Sequence, residues 1–205
     1  MKVVIFQNDV PGDFHLPGDL AIDCESMGLH LHRDRLCLLQ FSNGDGNAYI
    51  VQFIDGNYTA PNLKKILLDQ NRGKIFHYAR FDLAMIKKYL DIDLENIFCT
   101  KIASKLVRTY TDHHSLKELC RELLGVNLSK QQQTSYWGQL ELSKEQKEYA
   151  AKDVIYLHSL RAILIERLIT ENRSEIAHKL FAFLPTRINL DLIGWNDIDI
   201  FAYNS

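Results

Sequence analysis

The chain has 205 residues, of which 46% are hydrophobic and 24% are charged, and its net charge at pH 7 is −2. This length and composition predict one globular domain with a substantial core and exclude an intrinsically disordered chain. The 24 basic and 26 acidic residues give no basic excess. A protein that grips long nucleic acid nonspecifically usually has such an excess, because its cations neutralise phosphates. We therefore expect any nucleic-acid substrate to be short or to be held locally.

Cysteine spacing and the lack of long apolar runs bear on the compartment. The four cysteines are scattered, without the paired spacing of a zinc site or a disulfide framework. No apolar run approaches the roughly 18 to 20 residues that a membrane span requires, and the first residues do not resemble a signal peptide. We expect reduced thiols, no membrane association and a cytoplasmic location.

The first half of the sequence predicts a sheet. Segments of strand character lie at 2–7, 20–25, 36–42, 48–53 and 74–77. The Asn-Gly-Asp-Gly segment at 43–46 predicts a hairpin between two of these strands. Pro61 opens a predicted helix over 61–69, because proline is favoured in the first turn of a helix.

From residue 79 onward the pattern is mainly helical, with one more short strand at 97–99. Helices are predicted at 81–90, 101–106 and 115–124, and from 143 to about 168. Ser143 and Gln146 form a capping box that predicts the start of the last helix. A sheet followed by helices that pack on it predicts an α/β domain, with a mixed central sheet flanked by helices.

Two carboxylates stand out in the second predicted strand. Asp23 and Glu25 are two residues apart, so both side chains point to one face of the sheet while Cys24 points to the other. Two acids at the end of a buried strand repel each other and lose hydration, so a cation should compensate them. The strand itself contains no Lys or Arg.

Two more acids lie in predicted helices. These are Asp82 and Asp153, and Tyr149 precedes Asp153 by one helical turn on the same helix face. Each of these residues alone would more often be structural, as a helix-start carboxylate or a helix-face pair. Together with the two strand acids they form the layout of a two-metal phosphodiesterase. Hard divalent cations prefer oxygen ligands, and two of them can activate a water and stabilise the leaving oxygen.

The order of these residues resembles a known family. Asp23-x-Glu25, then Asp82, then Tyr149-x-x-x-Asp153 is similar to the three exonuclease motifs of the DEDD superfamily, in its tyrosine-containing (DEDDy) branch. The family that it resembles most is the ribonuclease D-like family.

Local segments extend this resemblance over about residues 20–168. Residues 142–157 closely match the third motif of the ribonuclease D-like family, and residues 133–137 resemble the segment that precedes it. The histidine branch carries its histidine five residues before the last acid, where this chain has Glu148, so the tyrosine branch fits better. The small single-domain chain is most similar to the nano-RNase C type.

The resemblance implies a ribonuclease H-like fold and two divalent metal ions, Mg²⁺ or Mn²⁺. The implied catalytic residues are Asp23, Glu25, Asp82, Tyr149 and Asp153. The four acids would bind the metals, and the tyrosine would orient the attacking water. The implied substrate-binding residues are Met27, Gly28, Leu29, His77 and Phe81.

The implied activity is that of a 3′-5′ exoribonuclease. It would hydrolyse short single-stranded RNA, down to dinucleotides, to nucleoside 5′-monophosphates. A broader ribonuclease D-like exonuclease, which trims longer RNA precursors or degrades single-stranded DNA, is the alternative within enzymes. A non-catalytic nucleic-acid-binding module is the alternative from another class; loss of a motif acid would favour it, and none is lost. Arg108, Lys117 and Lys130 are candidates for contacting a 5′ phosphate, and the sequence does not choose among them.

The C-terminal segment is rich in large apolar residues. We expect an exonuclease domain over residues 1–185 and an apolar tail over residues 186–205. Such a tail either packs on its own domain or contacts a second subunit. The resemblance to small single-domain members favours a homo-oligomer.

Overall fold

The computed structural model describes residues 1–129, 132 and 134–203. Its strands are β1 (Val3–Gln7), β2 (Leu20–Ser26), β3 (Leu36–Ser42), β4 (Ala48–Gln52), β5 (Lys74–Phe76) and β6 (Ile97–Cys99). They form one sheet in the order β1-β4-β3-β2-β5-β6. The pairs β2–β3 and β3–β4 are antiparallel, and the pairs β1–β4, β2–β5 and β5–β6 are parallel. The predicted mixed sheet is therefore confirmed.

Helices flank this sheet. They are α1 (Pro61–Leu67), α2 (Ala79–Leu90), α3 (Thr100–Val107), α4 (Leu116–Leu119), α5 (Lys144–Ile155), α6 (Leu157–Thr170) and α7 (Ser174–Leu190). A π-helical segment follows α4 over Cys120–Leu124, and another follows α7 over Asp191–Trp195. Among the described residues, no helix has both the length and the apolar character that crossing a bilayer requires. All four cysteines are free and buried, and the cytoplasmic location stays a prediction.

The capping box at the start of α5 is confirmed. Ser143 Oγ accepts a hydrogen bond from the Gln146 backbone N–H at 3.2 Å, and Gln146 Oε1 accepts one from the Ser143 backbone N–H at 2.9 Å. These two bonds satisfy backbone donors that the first helical turn leaves free.

The single long helix predicted from 143 to about 168 is wrong, because the chain forms α5 and α6 with a break at Tyr156. α5 packs on β2, β3 and β4, whereas α6 packs on α3 and on the π-helical segment after α4. The apolar periodicity continues through both helices because each buries one face. Helix α5 ends and α6 begins where the chain passes from one packing surface to the other. The spacing of the apolar residues in the sequence does not show this change.

Helix α7 is missing from the sequence prediction, which treated Pro185 as a boundary. The helix continues through this proline to Leu190. The division predicted between residues 185 and 186 therefore falls inside α7. Phe181 and Ile188, on either side of the proline, are both buried and hold the helix against the core.

Candidate active site

Strand β2 begins in the buried core and becomes partly exposed toward its C-terminal end. Leu20, Ala21 and Ile22 are fully buried, whereas Asp23 and Glu25 are partly exposed. The antiparallel register with β3 shifts between Glu25 and Ser26, which marks a β-bulge at the end of the strand. Bulges bend a strand and redirect its side chains, and they are common beside active sites.

Three acids meet at this end of β2. One carboxylate oxygen each from Asp23, Glu25 and Asp153 lies within 4.8 Å of the others. Asp82, from the first turn of α2, lies beside this group with Oδ1 accepting a hydrogen bond from the Cys24 backbone N–H at 3.1 Å. A strand and two helices, α2 and α5, thus bring the four predicted acids together.

Burial and mutual repulsion shape the electrostatics of the four acids. Burial raises the pKa of Asp23 to about 7, and hydrogen bonds from Cys24 and Gln40 lower it by less. Burial is also the largest cause of the raised pKa of Glu25, Asp82 and Asp153, and the charge on neighbouring acids adds to it. Without a cation, the fold therefore favours protonated carboxyl groups here.

No Lys, Arg or His in the described part of the chain forms an ion pair with any of these four acids. Carboxylate oxygens are the ligands that hard divalent cations such as Mg²⁺ and Mn²⁺ prefer. A bound cation would supply the charge that the protein withholds. The donor set therefore fits the predicted metals.

Tyr149 lies one helical turn before Asp153 on α5, as predicted. Burial raises the pKa of Asp153, and the neighbouring Tyr149 hydroxyl lowers it by less. Burial, and then the nearby carboxylates, raise the pKa of Tyr149 above its ordinary value. The ring packs against Trp137 with centroids 6.0 Å apart. The phenol is therefore a fixed, protonated donor at the edge of the acidic group.

The acids lie in a cavity of about 560 Å³. All ten residues predicted to form the site line it: Asp23, Glu25, Met27, Gly28, Leu29, His77, Phe81, Asp82, Tyr149 and Asp153. The structure thus brings every one of these side chains or backbones to one place. Their individual roles in binding or catalysis stay predictions.

Comparison with known proteins identifies the family. A sequence model of the family described as 3′-5′ exonuclease matches residues 12–169. The chain belongs to the 3′-5′ exonuclease family. It is also similar to NrnC from Brucella melitensis, whose structure bound to pGG has 50% sequence identity, a TM-score of 0.95 and coverage of 100% of both chains. The structure of that NrnC with bound Mg²⁺ has 49% identity, a TM-score of 0.94 and the same coverage. The predicted similarity to the nano-RNase C type is therefore confirmed.

Longer relatives match this chain over part of their own length. DNA polymerase I from Aquifex aeolicus is 36% identical over 141 residues, which is 69% of this chain and 22% of the polymerase. Ribonuclease D from Desulfotalea psychrophila is 28% identical over 171 residues, which is 83% of this chain and 43% of the ribonuclease. The chain thus spans less than half the length of these two curated relatives.

Within this exonuclease site, the structure gives a steric reason for glycine at position 28, which the sequence alone does not give. A Cβ atom built at Gly28 would lie 2.2 Å from Asp34 Oδ2. That oxygen accepts a hydrogen bond from the His30 backbone N–H at 3.0 Å, and the Asp34 carboxylate also pairs with Arg33. The loop after β2 therefore folds around the Asp34 carboxylate, and only glycine leaves room for it. The next residue, Leu29, is 81% exposed beside the cavity.

His77 is a neutral ring at the cavity wall. Its Nδ1 lies 2.9 Å from Thr100 Oγ1. Burial, followed by the charge of Lys101, lowers the pKa of His77 to about 3. The uncharged imidazole can therefore donate or accept a hydrogen bond in the cavity, but it supplies no positive charge to the acids.

Sequence reasoning missed three residues around the cavity. Tyr78 precedes α2 with a positive φ of 70°, and Lys101 Nζ lies 4.1 Å from the centre of its ring. Both residues line the cavity. Gln40, across from Asp23 on β3, donates to the Asp23 carboxylate at 2.6 Å. Tyr78 directly follows His77, so its position was a usable signal, whereas Gln40 requires knowledge of the strand register.

The three cationic candidates for a 5′ phosphate have different positions. Lys117 lines the cavity. Arg108 is fully buried and pairs with Glu122, so its guanidinium faces the interior and that candidate was wrong. Lys130 lies outside the described residues, as does Gln133 at the start of the segment that precedes the third motif.

Proposed function

We propose that this protein is a metal-dependent 3′-5′ exoribonuclease that hydrolyses short single-stranded RNA, down to dinucleotides, to nucleoside 5′-monophosphates. The observation that carries the proposal is the group of acids that line the cavity and form no ion pair within the described residues. Membership of the 3′-5′ exonuclease family supports the type of reaction.

The four acids would hold two divalent cations. Asp23, Glu25 and Asp153, whose oxygens already converge, would hold one ion, and Asp82 would contribute to holding the second. Bound Mg²⁺ or Mn²⁺ would activate a water molecule and stabilise the charge on the leaving oxygen. The Mg²⁺-bound structure of the similar NrnC supports this assignment.

The remaining residues of the site position the substrate and the water. Tyr149 stays protonated and orients the attacking water beside Asp153. The exposed Leu29 contacts the terminal bases, and Phe81 offers a ring on which a base stacks; such stacking contributes roughly 1–3 kcal/mol per base whatever the sequence. Neutral His77 bonds to the sugar, and Met27 and Gly28 line the same wall of the cavity.

Three observations support a short substrate. The cavity of about 560 Å³ has the size of a small-molecule site, for which roughly 300–1,000 Å³ is usual. The net charge of −2 gives no basic surface excess to hold a long strand. The NrnC that is similar over its full length was solved bound to pGG. Lys101 and Lys117, which line the cavity, are placed to meet the phosphates of a short strand.

A second candidate is a broader exonuclease that trims longer RNA or degrades single-stranded DNA. The curated relatives favour it, since one is a DNA polymerase I and another is a ribonuclease D. It predicts similar rates on long and short substrates, whereas the first proposal predicts faster turnover of the dinucleotide.

A time course distinguishes these two candidates. The purified chain is incubated with Mg²⁺ or Mn²⁺ and 5′-labelled RNA as a dinucleotide, a pentanucleotide or a long unstructured strand, with DNA strands of the same lengths in parallel. Fast loss of the dinucleotide and slow digestion of the long strand support the short-substrate enzyme. Equal or faster shortening of the long strand supports the broader one. If no arm gives a metal-dependent product, with the Asp23→Asn variant as control, the result would favour a non-catalytic binding module.

We also propose that the protein forms a homo-oligomer through its C-terminal segment. Ile193, Phe201 and Tyr203 are 71%, 77% and 94% exposed, which is a high exposure for large apolar side chains in one short segment. Truncation after Asn196 removes Phe201 and Tyr203 and keeps Asp191. We expect the truncated chain to have a smaller assembly mass by light scattering; an unchanged mass would contradict the proposal.

A further inference from the structure

Gln40 is buried across the sheet from the acidic group. It lies in β3 directly opposite Asp23 of β2, and its side chain is fully inaccessible to solvent. Its Nε2 donates a hydrogen bond to Asp23 Oδ2 at 2.6 Å.

The orientation of this amide is set by the Asp23 carboxylate. Gln40 Oε1 is buried and has no hydrogen-bond partner among the described residues, and an unpaired buried carbonyl costs free energy. Rotating the amide by half a turn would bring Oε1 against Asp23 Oδ2, where two acceptor oxygens repel each other. The fold therefore leaves one end of Gln40 unpaired to keep its donor on Asp23.

A neutral donor suits a metal site better than a charged one does. A Lys or Arg at this position would neutralise the acids and compete with a metal ion for them. An apolar side chain would leave the carboxylate of Asp23 free to turn. An amide fixes the direction of the carboxylate and leaves its charge for the metal. Partners of this kind orient metal ligands and commonly change affinity when they are replaced.

We propose that Gln40 is a positioning residue, which holds Asp23 in the orientation that binds the divalent cations. This inference rests on the metal site proposed above. Gln40 itself contacts neither the metal nor the substrate, and acts through Asp23.

The test measures Mn²⁺ binding directly, without substrate. Free Mn²⁺ is followed by its electron paramagnetic resonance signal while wild type and the Gln40→Met variant are titrated. Methionine keeps the length and most of the volume of glutamine and removes the amide. We expect binding to weaken by about tenfold or more, the size of effect seen when a partner of a metal ligand is lost. Thermal unfolding in EDTA monitors the fold of each variant.

Gln52 provides a matched control in the same sheet. It is also a buried glutamine, but its Nε2 donates to the backbone carbonyls of Gln139 and Leu140 rather than to an acid. Gln52→Met should bind Mn²⁺ within twofold of wild type. Equal Mn²⁺ affinity of Gln40→Met and wild type would overturn the inference, as would an equal loss in Gln52→Met.

A second variant decides the matter if Gln40→Met does not fold. Gln40→Asn keeps a buried amide but is one methylene shorter, so it cannot hold Asp23 at the same distance. It should weaken Mn²⁺ binding in the same way, and wild-type affinity in this variant would overturn the inference. If the wild type itself binds no Mn²⁺, the proposed metal site is wrong and the inference is overturned with it. If the wild type binds and Gln40→Asn binds equally, only the role of Gln40 is wrong.

Discussion

Two groups of carboxylates in this molecule, Asp191 alone and the four acids of the cavity, are compensated in opposite ways. Asp191, which follows α7, is 1% exposed and is held by Arg80 at 2.6 Å and by Arg187 at 2.8 Å. Four acids converge at the end of β2, and none of them forms an ion pair within the described residues. The first group carries its own counter-charge and is structural. The second group has no such counter-charge among the described residues, which is typical of a site whose negative charge is neutralised by a bound ligand.

The location of the two groups fits this difference. Arg80 lies on α2 only two residues before Asp82, so the same helix contributes to both groups. Its guanidinium turns away from the cavity and binds Asp191 and the backbone carbonyl of Asn196. A cation was thus available near the acids and is used instead to attach the C-terminal segment.

The largest expected effect comes from removing one cavity acid. Asp23→Asn should lower the rate of RNA hydrolysis by roughly 10³-fold or more, because bound metals supply several kcal/mol of transition-state stabilisation and each 1.4 kcal/mol is about tenfold. The measurement is initial rate on a labelled dinucleotide in Mg²⁺. Circular dichroism should show an unchanged fold. Near wild-type turnover would mean that the uncompensated acids are not the catalytic centre.

Tyr149 should have the next largest effect. Tyr149→Phe keeps the ring against Trp137 but removes the hydroxyl beside Asp153. We expect a fall in turnover on the order of 10²-fold, the lower end of what a positioned proton-transfer or orienting group contributes. Mn²⁺ affinity should change little, because the four acids remain. Tyr156→Phe, at the break between α5 and α6, is the control and should keep wild-type turnover. A large loss of Mn²⁺ affinity instead would make Tyr149 part of the metal site.

The catalytic acids could be predicted because their evidence is local. The alternation along β2 puts Asp23 and Glu25 on one face, and one helical turn joins Tyr149 to Asp153. Gln40 could not be predicted in this way, since its role depends on which β3 residue lies opposite Asp23. The sequence prediction places a boundary after Pro185 and no helix across it, whereas buried neighbours on both sides hold α7 through this proline. The break at Tyr156 depends on tertiary packing alone.

The compensated group should respond as a structural ion pair. Asp191→Ala leaves Arg80 and Arg187 without their shared carboxylate, and we expect a loss of about 2 kcal/mol in the free energy of unfolding. Loss of one partner of a fully buried pair typically costs about 3–5 kcal/mol, and the partial exposure of Arg80 reduces this. Urea unfolding measures the difference. Turnover per folded molecule should not change.

An exposed pair on α7 provides the control for this measurement. Lys179 and Glu175 lie 2.6 Å apart, with side chains that are 74% and 83% exposed. Glu175→Ala should cost less than about 0.5 kcal/mol, as is usual for surface pairs. If Asp191→Ala were as mild as this control, burial with two arginines would not distinguish a structural carboxylate from the acids of the cavity.

The smallest effect is the most direct test of missing compensation. In EDTA, Asp23→Asn should make the fold more stable than wild type, because it removes a buried charge that repels its neighbours. The pKa of Asp23 is about 7 in the metal-free fold and about 3.9 in an unfolded chain. The folded state therefore binds this proton more tightly, so ionised Asp23 destabilises the fold fully above pH 7 and not at all below about pH 4. The two pKa values differ by about three units, which corresponds to about 4 kcal/mol at pH 8. Because Asp23 is partly exposed to solvent, we expect a smaller advantage of the variant, on the order of 1 kcal/mol. It should shrink as the pH falls to 5. Saturating Mn²⁺ should reverse its sign at pH 8, because the wild type then gains more from the cation than the variant does.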